Sequence, residues 1–296
     1  MTLEQLRIFV TVADYLHVTK AAQSLNITQS AASASIAALE NRHGMRLFHR
    51  IGRRIELTEA GRSFLPEAKA VLARAAAAEL ALAELSGLQR GSLVLHASQT
   101  IANYWLPARL HAFRSLYPGI ALHLTIANTT EVGDAVGAGE ADLGFIEGDI
   151  DNPLLAQIPV PGDRLMLVVG ARHPWADRKS VTPADLASAA WVLRETGSGT
   201  RQKFEDGLRV LGVDPAAIDV TLELPSNEAV RYAVEAGAGA TVLSSLAVAA
   251  GLRTGSLKTV GPAFPERNFI ILRHGDRYFS KAEAAFIALV RDAISQ

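Results

Sequence analysis

Gln29, Ser30, Ser33 and Ser35 gather short hydroxyl and amide groups on one side of a segment whose other side carries Ala32, Ile36 and Leu39 at helical spacing. Side chains this short let a helix sit deep in a DNA major groove, where they bond phosphates and base edges. Thr28 stands where it caps that helix. Before it, Thr19 is placed to cap a shorter helix with Ala21, Ala22 and Leu25 turned inward. Asn26-Ile27-Thr28 supplies the turn, since Asn tolerates turn backbone. The stretch from Thr19 to Glu40 therefore reads as a helix-turn-helix or, taken alone, equally as an ordinary helical hairpin.

The flanks separate the two readings. Met1 to Leu16 is amphipathic, with Leu3, Leu6, Phe9, Val10, Val12 and Ala13 on one side, and supplies a third helix. Gly44 sits where a left-handed C-cap ends the recognition helix. Two short apolar runs, from Leu47 and from Ile55, then flank Gly52-Arg53-Arg54, a hairpin signature. Its tip places Arg50, Arg53 and Arg54 where phosphates attract them. Three helices and a basic hairpin make a winged helix-turn-helix. Residues 1–62 hold eight basic against five acidic side chains, whereas the whole chain has 29 Lys+Arg and 30 Asp+Glu. Positive charge is thus concentrated in the segment read as DNA-binding. The DNA-facing set is Thr19, Lys20, Thr28, Gln29, Ser30, Ser33 and Ala34 with Arg50, Arg53 and Arg54.

These motifs in this order resemble the LysR-type transcriptional regulators. The residues that carry the resemblance are Leu6-Arg7-Ile8-Phe9, Thr19-Lys20-Ala21-Ala22, Leu25-Asn26-Ile27-Thr28-Gln29-Ser30-Ala31, Ile36-Ala37-Ala38-Leu39-Glu40, Leu47-Phe48-His49-Arg50 and Leu57-Thr58-Glu59-Ala60-Gly61. Val18 stands where members often have Phe, and Ala34 where they often have Arg. The resemblance extends more loosely over the whole chain. It implies a linker-helix dimer, contact with RNA polymerase, and effector contacts at Ser98, Thr100, Thr129 and Thr200.

From Thr58 to about Gln89 the chain is rich in Ala. Phe64, Ala68, Val71, Ala75, Ala78, Leu82 and Leu85 recur in alternating steps of four and three, a heptad seam. That seam is either a subunit interface, the reading favoured by its place between two domain-like blocks, or the inner face of a core helix. Gly87 and Gly91 mark a hinge. From Ser92 short apolar runs alternate with helical stretches: 93–95, 120–126, 143–146, 165–169, 191–193, 220–224 and 241–243. Such alternation predicts an α/β domain with mostly parallel strands. The fold class is thus an N-terminal winged helix-turn-helix (1–58), a linker helix (59–90) and a two-subdomain α/β regulatory domain (91–296). The resemblance likens the last to periplasmic binding proteins. Its first subdomain covers 91–163 and 265–296, its second 164–264.

Several predicted strands end in hydroxyl-rich turns that open helices: Ser98-Gln99-Thr100, Asn128-Thr129-Thr130, Thr196 to Arg201, and Ser226-Asn227-Glu228. Each Ser or Thr alone is more simply a helix cap. Their recurrence on one edge instead suggests helix N-termini converging on a small anionic or polar ligand in the cleft. Gly197 and Gly199 permit close backbone approach. Glu147 and Glu195, near the same cleft, argue for a hydroxylated or amine-bearing ligand. The candidate effector set is Ser98, Gln99, Thr100, Asn128, Thr129, Glu147, Glu195, Ser198, Gly199, Thr200 and Ser226.

Zero Cys excludes disulfides and Cys-ligated metal. Neither His-x-x-x-His nor a complete Gly-x-Ser-x-Gly is present, so no metal, cofactor or catalytic role is expected. No apolar run reaches the length of a membrane span, and a cytoplasmic location follows as an expectation. The chain reads as a ligand-responsive, DNA-binding transcription factor acting as a homodimer or homotetramer. The rival is a cytosolic small-molecule-binding protein or enzyme with an accessory helical domain.

Overall fold

In the computed structural model of the protein the described residues are 1–51, 54–84, 91–261, 264 and 266–292; at 50, 51, 54, 77 and 79–84 only the backbone is described. The chain forms two compact units, Met1–Ser86 with Ala138–Glu140 and a larger one of Gly87–Gly137 with Ala141–Gln296.

In the first unit, α1 (Leu3–Tyr15) opens on a reciprocal box in which Thr2 and Gln5 bond each other's backbone. The next helix, α2 (Val18–Ser24), is capped by His17, whose Nδ1 accepts from Lys20 N at 3.3 Å. This corrects the expected cap: Thr19 is the second residue of the helix and is exposed, because the imidazole of His17, one residue before Val18, reaches the orphan N–H. Asn26 takes the left-handed conformation, φ 54°, that the turn demands. Thr28 then caps α3 (Gln29–His43) by accepting from Ala31 N, and Gly44 ends it at φ 65°. Ala21, Ala22, Ala32 and Ile36 are buried between the three helices with Ile8 and Val12. Strands β1 (Phe48–Ile51) and β2 (Arg54–Leu57) pair antiparallel as the wing.

The linker helix α4 runs from Glu59 to Glu84. Its first two seam positions do not await a second subunit. Ala68 is fully buried, and Phe64 packs its ring 5.2 Å from Phe9, both inside the unit's own core. The core-helix reading holds for that part of the seam. Val71 is 42% exposed and carries the seam onto the surface. Leu82 has only its backbone described, while Leu85 and the hinge residue Gly87 lie outside the described residues.

The second unit is built on nine strands among the described residues. One half orders β4 (Ile120–Ala127), β3 (Gly91–Ser98), β5 (Leu143–Ile146) and β11 (Glu266–His274). The other orders β9 (Ala240–Ser244), β7 (Ala190–Arg194) and β8 (Asp219–Leu224). The long β6 (Leu155–Gly170) belongs to both: it pairs with β11 up to Arg164 and with β9 from Leu165 onward. The pairs β3–β4, β3–β5, β7–β8 and β7–β9 are parallel, as expected. However, β6 and β11 are antiparallel to each other, and short β10 (Leu257–Thr259) is antiparallel to β6, so the sheet is mixed. Pro159, Pro161 and Gly162 interrupt the apolar run in the first half of β6, which hid that strand in the sequence.

Each half has its own core. Phe113, Phe145, Phe269 and Phe286 fill the first, and Trp175, Trp191 and Phe204 the second. Helix α11 (Lys281–Asp292) closes the first half. At its start Glu283 is 7% exposed. Burial, with Asp142 adding repulsion, pushes its carboxyl up to about 7 against the opposing pull of the Ser280 N–H, Arg277 and Arg273. A carboxyl raised in the folded state is most favourable when protonated. Its contribution is therefore greatest below the unfolded value near 4.5 and is lost as pH rises to about 7. Glu283→Gln should stabilise the protein by about 1–3 kcal/mol at about pH 8 and flatten its stability between about pH 5 and 7. Thermal melting across that range measures this, and an unchanged pH profile would discard the assignment.

Candidate functional site

On the first unit, the face of α3 turned away from the core carries Gln29, Ser30 and Ala34, all exposed, with Ser33 half-buried. Gln29 Nε2 donates to Ser33 Oγ at 3.1 Å, and the hydroxyls of Thr28 and Ser30 lie 3.0 Å apart. Thr19 and Lys20 are exposed on α2. In the wing register Arg50 pairs with Ile55 and Arg54 with Ile51, while Arg53 lies outside the described residues. The C-terminal end of α3 is locked to the wing by Glu40, a residue of the family motif for which the sequence indicated no partner. Its carboxylate is buried and accepts from Leu47 N (2.8 Å), Phe48 N (3.2 Å) and Arg46 Nη1 (2.8 Å).

On the second unit, the strand ends converge between the two halves. Helix α6 (Thr129–Ala138) starts from Asn128, whose Oδ1 accepts from Glu131 N while Asn128 N donates back to Glu131. Helix α8 (Gly199–Val210) starts from Ser198, whose side chain makes no cap bond and leaves the first N–H groups of the helix uncapped by it. Helix α9 (Asn227–Glu235) is capped by Ser226. Ser226 is thus a cap, as its simpler reading held, and Asn128 caps α6 in the same way.

A cavity of about 220 Å³ lies against α6 and α8, lined by Thr129, Thr130, Asp149, the turn Thr196–Ser198, Arg201, Gln202 and Glu205. Thr129 Oγ1 is buried there without a hydrogen-bond partner. Arg201 bonds Glu205 and Glu223, so its charge is already compensated. The glycines of the turn serve a different approach from the one expected. A Cβ on Gly199 would stand 2.7 Å from Gly148 N and 2.6 Å from Thr129 Oγ1, and Gly197, at φ 92°, passes close to Asn128. Gly199 admits the backbone of the opposite half at Gly148, and Gly197 the side chain of Asn128.

Deeper between the halves, Ser98, Thr100 and Thr200 are buried. Ser98 and Thr200 both donate to the carboxyl of Glu147, Thr200 at 3.4 Å. Thr100 accepts from Asn227 Nδ2 at 3.1 Å, and Gln99 accepts from Asn227 N. Arg194 holds Asn227 Oδ1 at 2.7 Å and grips Glu195 through two bonds of 2.8 Å. Glu195 is therefore taken by its neighbour, whereas Glu147 stands among the hydroxyls. Burial pushes the Glu147 carboxyl up; Arg267, Thr100 and Arg194 pull it down, and Asp163 adds to the rise. Asp163 and Arg267 pair through two bonds, of 2.6 and 3.2 Å, where β6 passes from one half to the other. Arg194, Asn227, Asp163 and Arg267 escaped the sequence reading. Only Asn227, inside a turn already singled out, left a signal there.

At the mouth, Tyr104 Oη and Asn103 Nδ2, on a π-type turn at Ile101–Trp105, donate to Glu228 of α9 at 2.6 and 3.2 Å. Among the described residues no group of three or more His, Asp or Glu could hold a metal, and no helix is long and apolar enough to cross a membrane.

A winged helix-turn-helix followed by a two-lobed α/β domain, with polar groups gathered between the lobes, defines a ligand-responsive DNA-binding regulator. Residues 3–62 match the model of the bacterial regulatory helix-turn-helix proteins of the lysR family, and residues 86–295 that of the LysR substrate binding domain. The chain belongs to the LysR family of transcriptional regulators. It is similar to the uncharacterized HTH-type transcriptional regulator YeiE of Escherichia coli K12, 34% identical over 97% of this chain and 96% of that one. A probable RuBisCO transcriptional regulator of Cyanidioschyzon merolae is 35% identical, covering 96% of each chain. Among solved structures, the regulatory domain of Synechocystis PCC6803 CcmR in complex with 2-PG matches with a TM-score of 0.63 and 25% identity, covering 70% of this chain and 99% of that one.

Proposed function

We propose that this regulator works in the cytoplasm as a homo-oligomer, lays α3 in successive major grooves, and senses a small polar or anionic metabolite between the halves of its second unit. We assign DNA binding to residues 1–58, the linker to 59–90 and effector binding to 91–296, with subdomains at 91–163 plus 265–296 and at 164–264. Effector binding changes how the halves and subunits pair. DNA bending and contact with RNA polymerase change with it, and no catalytic step is involved.

Thr129 carries the effector reading. Its hydroxyl is buried without a partner, and the residue lines a cavity bounded by the N-terminal ends of α6 and α8. Helix N-termini favour negative charge, and an orphaned hydroxyl is a donor waiting for an acceptor. About 220 Å³ is below the ~300–1,000 Å³ typical of pockets for drug-sized ligands, which supports a small metabolite. The 2-PG complex of the CcmR domain is consistent with a ligand of that kind.

The DNA reading is tested on fragments selected by the protein from a random pool. Gln29→Ala should weaken a selected site by about 1–3 kcal/mol and relax preference at one base pair, leaving affinity for unselected DNA nearly unchanged. Gel-shift titration measures it. Equal affinity of variant and wild type for the selected site would move base reading off this face.

A further inference from the structure

A carboxyl group stands among the buried hydroxyls of the candidate effector set, deeper between the halves than the cavity at Thr129. Glu147, the residue after β5, is 2% exposed and accepts from Ser98 on its own half and from Thr200 across the cleft. The halves therefore close on an internal acid. Three charged groups face it: Arg267 on β11, Asp163 on β6 and Arg194 on β7. Arg194 is engaged by Glu195 and Asn227 and Arg267 by Asp163, although Nη1 of Arg267 is buried without a partner. Asp163 adds a second negative charge. An anion reaching Ser98, Thr100 and Thr200 must lie against the Glu147 carboxyl. Two acidic groups in contact in a buried site do not both stay ionised, and one proton settles between them.

We infer that the effector and Glu147 share one proton, so the site prefers an oxyanion that carries its own acidic hydrogen over one that has none. This rests on the effector reading given above. A ligand O–H donates to a Glu147 oxygen, while its other oxygens accept from the hydroxyls of the cleft. A ligand without such a hydrogen binds only when Glu147 takes a proton from solvent, and that becomes harder as pH rises. Glu147 thus determines which ionisation state of an anion the cleft accepts.

Hydrogenphosphate and sulfate make the probe pair. Both are tetrahedral and doubly charged near pH 8, and only the first carries an O–H. Calorimetric titration of the full chain at about pH 7.5 and about pH 8.5 should show phosphate binding at least about tenfold tighter at the higher pH. Sulfate should weaken by up to about tenfold per pH unit while phosphate holds steady. Glu147→Gln, which is neutral at every pH, should bind the two anions alike. Equal binding of phosphate and sulfate by the wild type at both pH values would overturn the shared proton and leave an anion-sensing cleft standing. No binding of either anion by the wild type would remove the anion reading and the inference together. Should the variant not fold, the two wild-type pH series decide the matter without it.

Discussion

Glu40→Ala is expected to abolish specific DNA binding and to lower the melting temperature of the N-terminal unit. The side chain is 5% exposed and takes the N–H groups of both Leu47 and Phe48. Removing it strands two donors where the recognition helix meets the wing, and each orphaned donor costs about 1–3 kcal/mol. Its bond to Arg46 adds little, because that guanidinium is largely exposed. A loss of about 2–6 kcal/mol is therefore expected. With β1 no longer held to the end of α3, the helix and the wing cease to fit one duplex together. Glu40→Gln keeps an acceptor and should recover most of both properties. Thermal melting and gel shift on the three proteins measure this; an alanine variant that melts with wild type would show the two N–H groups satisfied elsewhere.

Gly199→Ala should separate ligand response from DNA binding. The added Cβ would meet Gly148 N at 2.7 Å and Gly148 Cα at 2.9 Å, backbone atoms that cannot swing aside. The start of α8 must then retreat from the opposite half, and Thr200 with it, whose bond to Glu147 is already long at 3.4 Å. Overpacking of this kind costs about 1–3 kcal/mol, and a displacement of about 1 Å in a binding constellation costs about a hundredfold in function. DNA binding, on the other unit, should persist. Ligand-dependent thermal shift and gel shift together read the outcome. A variant with the wild-type ligand response would mean that the halves do not need to meet at Gly148.

The sequence disclosed the helix-turn-helix because its signals are local: an inner face of Ala and Ile at helical spacing, a Thr cap, and Asn26 in the turn. It disclosed the parallel strands for the same reason, as short apolar runs between helices. It did not disclose β11 or the first half of β6, whose pairing joins residues about a hundred positions apart; in β6 the apolar run is also broken by Pro159, Pro161 and Gly162. Among the candidate effector residues, type was legible and partnership was not. Ser98, Thr100 and Thr200 were recognisable as hydroxyls at strand ends, but nothing in the sequence said that Glu147 and Asn227 would already hold them. Glu195 shows the converse, since its neighbour Arg194 was in view and only the fold turned the two side chains together.

From Gln29 to Asn41 the recognition helix carries no Lys or Arg, and its basic side chains come only in the last turn, at Arg42 and His43. The part of α3 turned outward therefore offers almost nothing to the phosphate charge that every stretch of duplex shares. Electrostatic attraction supplies nearly all of the affinity for random sequence. A helix poor in it spends little time on the wrong stretches of a chromosome, and bulk genomic DNA is a weak competitor for it. Under the proposed DNA reading, the wing and the second subunit are the means of staying on a site once it is found, while the neutral helix decides which site is worth staying on.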